Sequence, residues 1–324
     1  MSILFAVFVA LVIFSFLVLI HEFGHFYTAR KCGVTVEEFS IGFGPILWKK
    51  QKKGVKYMIK AIPFGGYVKM LGEEKALAKK GSFSMASLWQ RMAITVAGVV
   101  MNLVFAIVAL TIVFSIGSDP ILVSKADLQS AFKNGQVVFL TQEGEKISHR
   151  TEDGKALINF WQTGEPTKNL SGKKLKISYE EKIKKSLLEA FLFSWSESLR
   201  ISKSIVQKVG EIPGEIIRNK QLPKELQGPV GITRITEQII PQGFLALFRL
   251  AALLSLSLAV MNLLPIPALD GGRLLFQLVE LILKPFKIGI NERIEDGAHI
   301  AGFVLLIGFF IAITWRDLVV WIWG

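Results

Sequence analysis

The sequence predicts a mainly α-helical, polytopic membrane protein: about four spanning helices, a membrane-associated β-segment after the first, and a small module between the second and third. Three observations carry that reading. Of the 324 residues, 51% are hydrophobic, and the mean hydropathy of +0.46 is too high for an ordinary soluble chain of this length. Four apolar stretches come close to or reach the length that crosses a hydrocarbon core of about 30 Å: residues 3–20, Met92–Ile116, Phe244–Leu264 and Ala298–Trp315. Basic residues gather beside these stretches, where attraction to anionic lipid accounts for the net charge of +12 more simply than nucleic-acid binding does.

The first stretch, 3–20, has no charged residue and a single hydroxyl, Ser15. A secretory signal peptide is the competing reading, but no basic segment precedes it, no small-residue cleavage pattern follows, and a His-Glu-x-x-His sequence comes directly after it. Between Phe26 and Arg91 there are thirteen Lys or Arg against four Glu, so the positive-inside rule puts this loop in the cytoplasm and both termini outside. Within it Val34–Phe39, Val55–Ala61 and Gly65–Met70 read as short strands between Gly and Pro punctuation. With the second span they make an N-terminal membrane half, 1–116.

Residues 117–181 read as a small external module with strand candidates at Val137–Thr141 and Leu175–Tyr179. The next segment, 182–243, opens with apolar residues at helical spacing from Lys182 to Val209. They predict an amphipathic helix, lying on the outer membrane face or packed on the module. Residues 244–324 hold the third and fourth spans. With the single Cys32, neither an intrachain disulfide nor a thiolate metal cluster can form.

His21-Glu22-Phe23-Gly24-His25 continues the first span. Two imidazoles four residues apart share one helix face and can bind one ion together, with Glu22 beside them. Ionisable groups at the end of a hydrocarbon-length helix are costly without a partner, which favours zinc over a solvated helix end. A catalytic zinc takes three protein ligands and keeps one position open. The third candidate is Asp270 in Asn262-Leu-Leu-Pro-Ile-Pro-Ala-Leu-Asp270-Gly271-Gly272, where prolines break the third span; a plain turn aspartate is the alternative. Asn102 and Asn262 are amides inside apolar spans, able to donate to a substrate carbonyl or to bond between helices. His149 and His299 lack a partner at ligand spacing and read as surface or packing residues.

Several stretches together resemble the site-2 protease family of intramembrane metalloproteases, in its bacterial branch that includes the regulator of sigma-E protease. They are His21–His25, Gly33–Pro45, Pro63–Gly72, Arg91–Asn102, Gly228–Ile232 and Asn262–Gly272. The resemblance implies a zinc endopeptidase of the bacterial inner membrane that cuts transmembrane segments of single-span proteins, such as anti-sigma factors or signal-peptide remnants. It implies His21, His25 and Asp270 as zinc ligands, Glu22 as acid/base, and substrate positioning by Asn102 and Asn262. Gly65-Gly66-Tyr67-Val68 is similar to the family's β-segment, which would pair with an unwound substrate by strand addition; a plain hairpin is the alternative. Two departures stand out. Only about 65 residues precede the amphipathic helix, so a PDZ domain is shortened or absent, and Val99 replaces the family's proline in Ala97-Gly98-Val99. The competing functions are a membrane protein with structural or transported zinc, and a membrane zincin with glutamate as third ligand.

Overall fold

The computed structural model describes residues 3–73, 77–121, 125–141, 146–150, 152–163, 175–179, 182–219, 226–286 and 292–323. The chain divides into two compact units, residues 1–109 with 205–324, and 110–204. Among the described residues, four helices are long and apolar enough to cross a membrane, and the protein is a mainly α-helical, multi-pass membrane protein.

In the first unit, α1 (Ile3–Lys31) is about 43 Å long at 1.5 Å per residue, longer than a hydrocarbon core, and both imidazoles fall in its C-terminal half. Leu4, Phe5, Phe8, Val12 and Phe16 are exposed along it, a surface suited to lipid rather than water. It is followed by β1 (Val36–Lys52) and β2 (Val55–Met70), antiparallel strands joined at Lys53-Gly54 with φ of 50° and 82°. Positive φ at both central residues is the hairpin geometry that follows the twist of the strands.

The three short strands expected in this loop are parts of these two long ones, because each long strand bends. Phe39 pairs with both Tyr57 and Val68, and Ser40 with both Met58 and Tyr67, while Lys49 also pairs with Met58. The hairpin therefore forms four strand segments, ordered 46–52, 55–60, 36–41 and 66–70, with the last at an edge. Gly65, at φ 81°, permits the bend that turns 66–70 back along β1. Phe26 of α1 stacks edge-on to Phe39 at 5.2 Å and to Tyr57 at 6.2 Å, which seats the hairpin on α1.

A Ser87/Gln90 capping box starts α2 (Leu88–Ile116): Ser87 N–H donates to Gln90 Oε1 at 2.9 Å and Gln90 N–H to Ser87 Oγ at 3.3 Å. Half of the most apolar stretch of α2 is buried, against 11% for α1, so α2 is the inner helix. Gly24 brings α1 close to it; a Cβ there would lie 2.7 Å from the Ala97 carbonyl carbon.

The second unit contains α3 (Lys125–Lys133), β3 (Val137–Thr141), β4 (Lys146–Ile147), α4 (Glu152–Thr163) and β5 (Leu175–Tyr179). Its antiparallel sheet has the order β4-β3-β5, and Leu128, Phe132, Val137, Phe139, Ile147 and Leu157 make its core. Both expected strands are present. The two helices were not expected, because their windows are short and polar. The amphipathic helix, expected over Lys182–Val209, is α5 (Leu187–Asn219), started by Ser186 and Glu189, whose carboxylate accepts from the Ser186 N–H at 3.1 Å. Leu188, Phe191, Leu192, Trp195 and Leu199 are exposed on it, whereas Ala190, Ser194, Ser198 and Ile201 are buried.

Back in the first unit are α6 (Pro229–Ile239), α7 (Phe244–Leu263), α8 (Asp270–Leu283) and α9 (Glu292–Trp323). Gly228 caps α6 without a side chain, and Asp317 of α9 does that work instead. Its Oδ2 accepts from the N–H of Gly228 at 2.8 Å and of Gly231 at 3.1 Å, and its Oδ1 meets Arg316 at 2.7 Å. Asp317 is 5% exposed, so nothing replaces it when it is removed. Asp317→Ala is expected to lower stability by about 1–3 kcal/mol, read as a lower thermal midpoint in detergent; a wild-type midpoint would contradict this clamp.

Candidate metal centre

His21 and His25 stand one turn apart on α1, and both are buried. Asp270 reaches them from the first turn of α8. Prolines 265 and 267 end α7 and form a tight turn, in which Gly271 and Gly272 lie against main chain: a Cβ at either would lie within 2.5–2.8 Å of the carbonyl carbons of Leu263 or Ile266. Ala268 takes a positive φ of 78° and its N–H donates to His299 Nδ1 of α9 at 2.9 Å. That bond braces the turn two residues before Asp270, so His299 packs, as its lack of a ligand-spaced partner suggested.

The three side chains converge. Asp270 Oδ2 lies 2.9 Å from His21 Nε2 and 3.4 Å from His25 Nε2, and the two nitrogens are 3.1 Å apart. Asp270 Oδ2 is buried and makes no hydrogen bond to a described residue. Three electron-pair donors brought this close together by two separate helices have the composition and convergence of a metal site. The other nitrogen of His25, Nδ1, lies 2.8 Å from the Ile94 carbonyl oxygen, which makes it the N–H donor and leaves Nε2 free to ligate.

Glu22 borders the same space. It lines a cavity of about 210 Å³ with His21, His25, Asp270, Tyr67 and Val68, and its carboxylate interacts with the Val68 main-chain N–H. The edge segment 66–70 thus runs past the site. Gly66 is close-packed there: a Cβ would lie 2.6 Å from Ser40 O and 3.8 Å from Glu22 Cγ, and Gly65 faces the Phe43 ring. Tyr67 O–H donates to Glu38 at 2.9 Å and receives Lys60 Nζ at 3.0 Å. Partial burial works against ionisation of Glu38, yet the Tyr67 hydroxyl and Lys56 ammonium hold its carboxyl below the usual range. Asn262, Asn102, Glu22 and Asp270 line a second cavity of about 240 Å³, and Asn102 is fully buried beside His21.

Several residues here had no role assigned from the sequence. Along α8, Asp270 is followed by Arg273, Gln277 and Glu280, and each has a partner: Glu73 for Arg273, Thr95 for Gln277 at 3.0 Å, and Arg91 for Glu280 at 2.6 Å. Gly98 of α2 lies under the imidazoles, where a Cβ would be 2.7 Å from His21 Nε2 and closer still to His25 Nε2.

The family model for Peptidase family M50 matches residues 9–309. The chain belongs to peptidase family M50. This M50 peptidase is similar to proteins named "Putative zinc metalloprotease" in several bacteria. It is 32% identical to one from Fusobacterium nucleatum subsp. nucleatum, over 95% of this chain and 97% of that protein. With one from Clostridium perfringens it shares 33% identity, over 96% and 97%, and with one from Campylobacter jejuni 30%, over 94% and 91%. Family membership makes the M50 peptidase an intramembrane zinc metalloprotease. Its donor set suits that metal, since two imidazoles and one carboxylate leave a position for water or substrate.

Proposed function

We propose that this M50 peptidase is an endopeptidase that cuts within the transmembrane segments of single-span proteins, with His21, His25 and Asp270 as zinc ligands and Glu22 as acid/base. The convergence of His21 Nε2, His25 Nε2 and Asp270 Oδ2 next to Glu22 carries this reading. When bound, zinc supplies an acidified water and polarises the scissile carbonyl. The Glu22 carboxylate then takes a proton from the attacking water and returns it to the leaving amine. A glutamate in this place separates the reading from structural or transported zinc, neither of which needs an adjacent base.

A spanning helix has its main-chain groups paired internally, so cleavage requires unwinding and new partners for the freed groups. The edge segment Gly66–Met70, with Tyr67 and Val68 bordering the site, supports strand addition as the source of those partners. Asn262 in the adjoining cavity supports a role in holding a substrate carbonyl. An apolar groove of about 780 Å³ lined by Leu11, Phe14, Phe303 and Phe310 reaches Leu269, next to Asp270, and supports lateral arrival of an apolar segment. The excess of Lys and Arg between Phe26 and Arg91 supports a cytoplasmic hairpin and active site with external termini, and the similarity to bacterial proteins supports residence in a bacterial inner membrane.

The test is cleavage of a model single-span protein by the purified chain in detergent. We expect a product that disappears with a chelator and returns with added zinc; cleavage indifferent to chelation would overturn the reading.

A further inference from the structure

One face of α2 holds both imidazoles. Ile94, Gly98 and Asn102 recur every four residues and so lie in one stripe. The Ile94 carbonyl accepts from His25 Nδ1 at 2.8 Å. Gly98 leaves the room the two rings fill. Asn102, 0% exposed, brings Nδ2 to 3.4 Å from His21 Nδ1, while its Oδ1 is buried without a hydrogen-bond partner among the described residues. Its main chain is fixed as well, since Ser255 Oγ of α7 donates to Asn102 O at 2.9 Å.

A neutral imidazole carries one ring proton, so a histidine that ligates through Nε2 must carry it on Nδ1. His21 Nδ1–H then needs an acceptor, and an amide nitrogen is not one. Amide oxygen and nitrogen exchange places by a half-turn of the side chain, and their assignment follows from the hydrogen bonds they make. That half-turn brings Oδ1 to His21 Nδ1 and gives the buried oxygen a partner.

We infer that Asn102 is a positioning residue for the metal centre: its side-chain oxygen accepts from His21 Nδ1–H and fixes the tautomer and ring orientation that aim Nε2 beside Asp270. It does for His21 what the Ile94 carbonyl does for His25. The inference rests on the reading of the histidines as ligands, and it assigns Asn102 to the metal rather than to the substrate carbonyl that its resemblance implied.

The test uses the full chain in detergent and compares wild type with Asn102→Leu, which fills the space without an acceptor, and Asn102→Asp, which keeps one. Zinc affinity is measured by chelator competition, and ligand geometry by the visible absorption of the cobalt-loaded protein. Losing an outer partner of a metal-bound histidine typically costs 10–100-fold in affinity. Asn102→Leu is expected to show such a loss and an altered cobalt spectrum, and Asn102→Asp to recover affinity to within a few-fold of wild type. Wild-type affinity and spectrum in Asn102→Leu would overturn the inference, as would a raised KM with unchanged affinity, the mark of a substrate contact. Equal loss in both variants would also overturn it, as a packing defect. Should Asn102→Leu not fold, Asn102→Ala gives the same comparison. His21→Ala separates the two layers: if it leaves zinc affinity unchanged, the ligand reading itself fails, whereas loss there with no effect at Asn102 defeats this inference alone.

Discussion

Glu22→Gln is expected to lower cleavage by about 10²–10⁴-fold, the usual contribution of a positioned acid/base, while the purified variant keeps its zinc. The amide matches the carboxylate in size and can still meet the edge segment at Val68, so the fold has no reason to change. What it loses is the capacity to take a proton from water beside His21, His25 and Asp270. Parallel zinc analysis and turnover measurements check both halves. Loss of zinc together with activity would recast Glu22 as a ligand, and retained turnover would remove it from the chemistry.

Asp270→Ala is expected to act one step earlier. Two imidazoles alone hold zinc poorly, and among the described residues the group that can hold a metal is His21, His25 and Asp270. Zinc affinity should fall by more than the roughly 100-fold ascribed to losing an outer partner, and cleavage should fall below detection. This variant also separates the family's ligand set from a zincin that uses glutamate as the third ligand, in which zinc would survive the change. Dialysis against a graded chelator, followed by metal analysis, reads the difference.

The candidate site was more legible in the sequence than the scaffold around it. His21 and His25 were legible because helical spacing alone puts them on one face, and Asp270 because prolines and glycines mark a break in an apolar span. The four apolar stretches stood out by composition, although α9 extends well beyond the expected Ala298–Trp315. The bent hairpin was read as separate short strands, because local pattern does not show that Phe39 pairs on both sides. The residues around the metal were the least legible. A main-chain carbonyl such as that of Ile94 has no residue type to recognise, Gly98 matters through the side chain it lacks, and Glu73 finds Arg273 across 200 residues of sequence. These are tertiary facts. They depend on where α2 and α8 pass α1, which hydrophobic periodicity does not encode.

The most direct test of the central claim, a zinc site that cuts within the membrane, is mass-spectrometric mapping of the bond cleaved in a single-span substrate by the zinc-loaded wild-type protein. The account predicts a cut inside the apolar segment, absent from Glu22→Gln under the same conditions. A cut confined to the soluble flanks, or the same internal cut made by Glu22→Gln at the wild-type rate, would contradict it.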